Sequence, residues 1–329
     1  MNLNNLKGLN KELHLEFSDK RIPTRKGYGD MLVELGKTNK DIMVLCADLT
    51  ESTQVHMFRD AYPKQFVEMG VAEQNLITIA GGLAHVGKIP FISSYAMFCP
   101  GRCWEQVRTI AGYNESNIKV IGAHSGISVG PDGATHQALE DIATMRVIPG
   151  MVVIVPVDYE QTRQATKAIA AHKGPCYMRF AREKTPVITT PKTPFEIGKA
   201  QLIKDGDDIA LIGAGPFFYE CLQAAMKLQE EGINALVLNL HTIKPIDKDA
   251  IVSAAKKCGC VVTVEEHQVM GGLGSAVAEV LGEHYPTPMR FIGIQDRYGE
   301  SGPPDDLIKH FKCSTDDIIK AAEELMKRK

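Results

Sequence analysis

Nowhere in this 329-residue chain do eighteen apolar residues run together, so no membrane-crossing helix is expected. Met1 to Arg25 is polar and mixed in charge and lacks the apolar stretch of a secretory leader. Net charge is also scarce: 37 Lys and Arg against 40 Asp and Glu leave −3. That gives no basic field for nucleic acid to bind. The eight cysteines form no CxxC pair. Cys99 and Cys103 lie four apart, but no second ligand pair is near, so buried thiols are expected rather than zinc or disulfides. The phosphate-loop pattern GxxxxGK[ST] is missing. Gly213–Ala–Gly215–Pro lacks the third glycine of a dinucleotide fingerprint and reads as a strand-to-helix turn. No low complexity and no short repeat occurs. The expectation is a cytoplasmic protein with neither membrane nor nucleic acid as partner.

What is present is an ordinary globular composition, 44% hydrophobic and 23% charged, in a chain long enough for two domains. Apolar β-rich runs at Ile42–Ala47, Ile89–Ser93, Ile118–Ala123, Met151–Val155 and Cys176–Phe180 alternate with helical patterns. The helices are expected at Thr24–Gly36, capped by Thr24, at Glu73–Val86 and Gly101–Ala111, and at Tyr159–Ala171, capped by Asp158. Glu183–Lys199 carries Pro186, Pro191 and Pro194 without a period and reads as a linker. Alternation then resumes, with strands at Ile209–Gly213, Asn234–Leu240, Cys260–Glu265 and Met289–Ile294, and ends on a Ser314-x-x-Asp317 capping box. The fold class is α/β, two doubly wound domains with parallel sheets covered on both faces. The expected ranges are 22–185 and 201–329, joined by 186–200.

Four segments carry residues suited to chemistry. Val67–Asn75 ends a short strand at Gly70 and opens a helix with Glu73. A first-turn glutamate is ordinarily a response to the helix dipole; here it also sits where open α/β sheets bind ligands. Gly122–Gln137 follows a strand, holds four glycines and one proline, and carries His124, Asp132 and His136. Tyr95 and Phe98 lie three apart at a strand end, a spacing more often used for core packing. Thr24–Arg25–Lys26, Asp48–Ser52, Arg179 and Arg182 are candidate anion contacts only if the fold gathers them.

In order along the chain, TRK (24–26), ADLTES (47–52), MGVAEQN (69–75), SYAMFCPGR (94–102), AHSGISVGPDGATHQ (123–137), ARE (181–183) and VEEHQVMGGLGSA (264–276) resemble the C-terminal part of transketolase. The resemblance covers roughly 22–325 and implies a pyrimidine-binding domain followed by a transketolase C-terminal domain. It implies thiamine diphosphate as cofactor, with Glu73 hydrogen-bonded to N1′ of the aminopyrimidine and favouring the 4′-imino tautomer that takes the C2 proton. Tyr95 and Phe98 would pack on that ring, with Asp48 near the cofactor at a subunit interface. His124 and His136 would contact substrate hydroxyls and shuttle protons, and Asp132 would read the donor's C2 hydroxyl. Arg25, Ser52, His124 and Arg182 would hold the phosphate of a sugar-phosphate acceptor. The implied activity is ketol transfer between sugar phosphates, as in the pentose phosphate pathway.

The family also needs a diphosphate-binding domain marked by GDG and a later Asn, which binds Mg²⁺. No such segment is found; after Asp132–Gly133 the next Asn is Asn234. The expectation is one half of a split transketolase, binding no metal itself. It would be active only with an N-terminal partner subunit that holds Mg²⁺, in an α2β2 heterotetramer. Three alternatives stand beside this. The 2-oxo acid dehydrogenase β subunit is disfavoured by His124 and GPDGATHQ. A deoxyxylulose phosphate synthase fragment shares the DGATH loop, but its arginine after the aromatic pair is present here only in shifted form, as Arg102. A non-enzymatic interaction subunit predicts that Glu73, His124 and His136 diverge in space.

Overall fold

The computed structural model describes residues 5–17 and 20–328. Met1 and Lys329, the outer ends of the N-terminal polar stretch and of the expected second domain, lie outside the described residues. Two sheets with helices on their faces organise the chain. The first has seven strands in the spatial order Thr242–Lys244, Val152–Ile154, Cys176–Arg179, Lys119–Ala123, Ile89–Tyr95, Ile42–Cys46, Phe66–Glu68. All run parallel except Thr242–Lys244, which lies antiparallel to Val152–Ile154. The second orders Met289–Ile294, Val261–Gln268, Ile209–Gly213, Ala235–Asn239 and the antiparallel edge Gln201–Lys204. The central strands are buried along their whole length, as parallel strands covered on both faces must be.

The apolar runs form the expected strands to within three residues at their ends, the largest difference being Val261–Gln268 against Cys260–Glu265. Of the three-residue edge strands in the first sheet, Phe66–Glu68 matches the short strand expected before Gly70, while Thr242–Lys244 was not readable, because a strand that short carries no period. Two local expectations need correction. Thr24 does not cap its helix: Pro23 occupies the cap, and the Thr24 hydroxyl instead donates to the Ala181 carbonyl at 3.1 Å. The helix expected at Gly101–Ala111 starts only at Trp104 and widens into a π-type turn over Val107–Tyr113. Asp158 does cap Tyr159–Ala171, accepting from Gln161 N at 2.8 Å, and the Ser314/Asp317 capping box forms. All eight cysteines are buried, and none is joined in a disulfide.

The stretch read as a linker is anchored. Lys184–Pro186 pairs with Arg21–Pro23, and the buried Asp158 carboxylate accepts from Ile188 N, Thr189 N and the Thr189 hydroxyl at 2.6–2.8 Å. The two halves interlock further. Thr242–Lys244 extends the first sheet, and one apolar cluster runs from Leu76 and Val120 through Val153 to Leu238 and Leu273. Near the N-terminus, Leu6 and Leu13 pack into the core of the second half.

Candidate active site

Every candidate residue of the first half lies at the carboxyl end of its sheet. Tyr95 ends strand Ile89–Tyr95, His124 directly follows Lys119–Ala123, and Glu73 opens the helix reached from Phe66–Glu68. That rim is where an open parallel sheet leaves a crevice. The helix dipole favours a carboxylate at position 73, yet Glu73 is 2% exposed and its Oε2 is held by Arg102 Nη1 at 2.6 Å. Arg102 itself is half-exposed and lies over the Phe98 ring, 5.0 Å from its centroid. A buried carboxylate without such a partner would be costly.

An aromatic wall stands beside this pair. Tyr95 and Phe98 lie 6.0 Å apart with planes 22° off parallel. The His124 ring stacks on Tyr95 at 4.0 Å, and His136 meets Phe98 edge-on at 5.3 Å. So Glu73, Arg102, Phe98, Tyr95, His124 and His136 form one contact chain, contrary to the divergence a non-enzymatic subunit predicts. His124 holds a left-handed backbone (φ 53°), uncommon outside glycine. The next residue is pinned: Ser125 N and Oγ both donate to the Phe180 carbonyl at 3.3 Å.

Burial first, then the charges of Arg25, Arg182 and His136, lower His124 to about 3, so its imidazole is neutral at neutral pH. Its Nδ1 is buried with no partner among the described residues, as is Arg25 Nε. Buried polar atoms left unpaired are rare enough to ask for a ligand. Arg25 Nη1 donates to the Ser52 carbonyl at 2.9 Å, and Arg182 Nη1 to the Val129 carbonyl at 3.0 Å. Burial, followed by repulsion from Arg182, also lowers Arg25. Two guanidiniums that repel one another across a half-buried site form a ready anion pocket. His136 Nδ1 pairs with the Thr135 hydroxyl at 2.9 Å, while Asp132 is exposed at the end of turn Ile127–Asp132. Asp48, also exposed and left-handed, lies on the loop after Ile42–Cys46.

Sequence reasoning missed three contributors. Glu68 accepts from Asp48 N (2.7 Å), the Thr50 hydroxyl (2.7 Å) and Gly70 N (3.0 Å), so it joins the ADLTES loop to the turn before Glu73. Its only signal was a carboxylate at a strand end. Arg102 was noted without its partner, which lies 29 residues away. Glu266, distant in sequence, reaches into the 124–137 loop. Among the described residues, no group of three or more His, Cys, Asp or Glu is arranged to hold a metal ion.

Comparison with known proteins places this geometry in a family context. A family model for the transketolase pyrimidine binding domain matches residues 20–187, and one for the transketolase C-terminal domain matches 198–318. A putative transketolase C-terminal section of Methanocaldococcus jannaschii is 46% identical over 92% of this chain and 96% of its own length. One of the subunits of an apulose-4-phosphate transketolase from Phocaeicola vulgatus is 40% identical over 93% of this chain and 98% of its own. A solved split-gene transketolase, described as an inactive β4 tetramer, superposes with a TM-score of 0.88. It is 44% identical and covers 93% of this chain and 99% of its own.

Proposed function

We propose that this chain, which belongs to the transketolase family, is the C-terminal subunit of a split transketolase that transfers a two-carbon ketol unit between sugar phosphates. The observation that carries this reading is the convergence, at one sheet rim, of a buried carboxylate, an aromatic wall, two histidines and two mutually repelling arginines. The division of labour follows the expected ranges, 22–185 for the pyrimidine pocket and 201–329 for the C-terminal domain. The cytoplasm remains the proposed compartment; no described helix is long and apolar enough to cross a membrane.

The residues fit the aminopyrimidine end of thiamine diphosphate. Glu73 offers a buried hydrogen-bond acceptor, and Tyr95 and Phe98 offer flat apolar surface for a ring. Asp48 lies on the neighbouring strand end and would flank the cofactor. When bound, the cofactor supplies a nucleophilic carbon and an electron sink that no side chain offers. Glu73 would hold a proton on the ring nitrogen. Arg102 keeps that carboxylate paired while the pocket waits. His124 enters neutral, so a ring nitrogen would be able to accept a substrate hydroxyl proton, and His136 would work beside it. Asp132, on the exposed side of the loop, would read a donor hydroxyl. Arg25 and Arg182, the former set by the Ser52 carbonyl, would hold the acceptor's phosphate. Each charge-assisted bond contributes about 1.5–3 kcal/mol.

The partner is proposed to supply the diphosphate-binding domain and its Mg²⁺, in an α2β2 assembly closed by a twofold axis. Relatives named as a C-terminal section or as one subunit of a transketolase, and the split-gene neighbour, support that arrangement. A related 6-deoxy-6-sulfo-D-fructose transketolase subunit of Clostridium, 42% identical, carries a different sugar in its name, so family membership does not fix the substrate. The arginine pair suits any tetrahedral anionic terminus. Reconstitution with a diphosphate-domain chain, thiamine diphosphate and Mg²⁺ tests the proposal. Turnover is expected only from the mixture. Turnover by this chain alone, or tight Mg²⁺-dependent cofactor binding to it in calorimetry, would overturn the split-enzyme reading.

A further inference from the structure

We propose that Glu266, in the C-terminal half, is a positioning residue for anion recognition: it sets the Gly126–Gly133 loop and, through it, Arg182. The inference rests on the role assigned to Arg182 above. Glu266 lies near the end of strand Val261–Gln268 and is 5% exposed. Its Oε1 accepts from Ser128 N at 2.5 Å. The carbonyl of the next residue, Val129, holds Arg182 Nη1 at 3.0 Å. One carboxylate thus holds the 127–128 peptide, two peptide units before the one on which the arginine rests.

The approach is close enough to constrain the sequence. Gly126 has φ +83°, and a Cβ there would overlap the Glu266 carboxyl. Glycine is required on both counts. Arg179 holds the other end of the loop to the same strand. Its Nη1 and Nη2 both donate to the Glu266 carbonyl at 3.2 Å, Nη2 also reaches the Ala138 carbonyl, and Nε lies 3.0 Å from Asp141. A second contact from the C-terminal half braces the far side. Gln137 Nε2 donates to the Glu300 carbonyl at 2.9 Å as well as to Ile127 and Gly130. A Cβ on Gly130 would press on Gly302 and Pro304 at 3.2 Å. The C-terminal half therefore shapes the loop from two sides while contributing no side chain to the contact chain that runs from Glu73 to His136.

The test uses the reconstituted enzyme with Glu266→Gln, Glu266→Ala and Glu266→Asp. Glutamine keeps an acceptor for Ser128 N, alanine removes it, and aspartate withdraws it by one methylene. KM for a phosphorylated acceptor and for a non-phosphorylated aldehyde, kcat, and hydrogen exchange at the 126–137 peptide are measured. The alanine and aspartate variants should raise KM for the phosphorylated acceptor about tenfold, the loss of one charge-assisted contact. They should spare kcat and the non-phosphorylated aldehyde and speed exchange of the loop, while glutamine restores KM. In an Arg182→Ala background, Glu266→Asp should add nothing further. The aspartate variant carries the test should alanine fail to fold. An unchanged KM in Glu266→Asp while Arg182→Ala raises it would overturn this inference and leave the proposed function standing. Equal damage to both acceptors, or failure of glutamine to restore KM, would also overturn it. No effect of Arg182→Ala itself would remove the phosphate role beneath both.

Discussion

The two sheets place similar residues at similar points, and the difference lies in what those residues touch. In the first half, a helix opens with buried Glu73, and His124 follows the end of a strand. In the second, Glu265 and His267 stand near the end of strand Val261–Gln268. Glu265 spends both oxygens on backbone, accepting Leu273 N at 2.7 Å and Gly274 N at 2.8 Å from the following helix. His267 Nδ1 pairs with the Gln268 carbonyl at 2.7 Å, and Nε2 faces Ala143 N at 3.4 Å. Glu73 instead meets a half-exposed arginine, and His124 Nδ1 meets nothing among the described residues. A buried polar group consumed by backbone holds a fold together; one held by a half-exposed side chain, or left unpaired at a rim, asks for a ligand.

The largest expected effect is at Glu73. Glu73→Gln should lower turnover of the reconstituted enzyme about a hundredfold or more, the range of lost proton-transfer catalysis. Its thermal unfolding should stay close to that of the parent chain. Near-normal turnover would erase the distinction between the two glutamates.

His124 offers a pH test of the unpaired state. Burial lowers it to about 3, against 6.5 when unfolded. Between those values the unfolded chain binds the extra proton, so stability is present above pH 6.5 and is lost as the pH falls toward 3. From pH 7 to 5 this single group should cost about 2 kcal/mol. Urea denaturation of the chain at both pH values should show that loss reduced in His124→Gln. An identical loss would mean that the imidazole is not held neutral.

Arg25→Gln and Arg182→Gln should each raise KM for a phosphorylated acceptor about tenfold with kcat little changed, the signature of lost uniform binding. A non-phosphorylated aldehyde should be almost indifferent. Steady-state kinetics with both acceptors decides it.

The smallest effect is expected at Glu265, the counterpart in the second half. Glu265→Gln should leave turnover unchanged and cost about 1 kcal/mol of stability or less at pH 6, where a neutral acid and the amide each keep one carbonyl acceptor for the backbone donors. Burial pushes Glu265 up to about 8. Its stabilising contribution is therefore present at low pH and lost as the pH climbs from about 4.3 through that value. Denaturation curves should show the parent losing stability relative to the variant from pH 6 to pH 9. A strong loss of turnover would place the second half in the chemistry itself.

Local sequence was enough to set the α/β alternation and the position of each long strand, while the full set of candidate residues at the rim came from the family resemblance. Each local signal is short in range: a run of β-branched residues, a glycine after a strand, a carboxylate at a helix start. Asp158 and Ser314 were readable as caps for the same reason, because a cap and its donor lie three residues apart. What each rim residue is paired with was settled in three dimensions. Arg102 reaches Glu73 across 29 residues and Ser128 reaches Glu266 across 138. Strand Thr242–Lys244 crosses to the other sheet by a route no periodicity encodes. Secondary structure follows from neighbours along the chain. Whether a buried polar group is satisfied or left waiting depends instead on which distant segment packing brings against it.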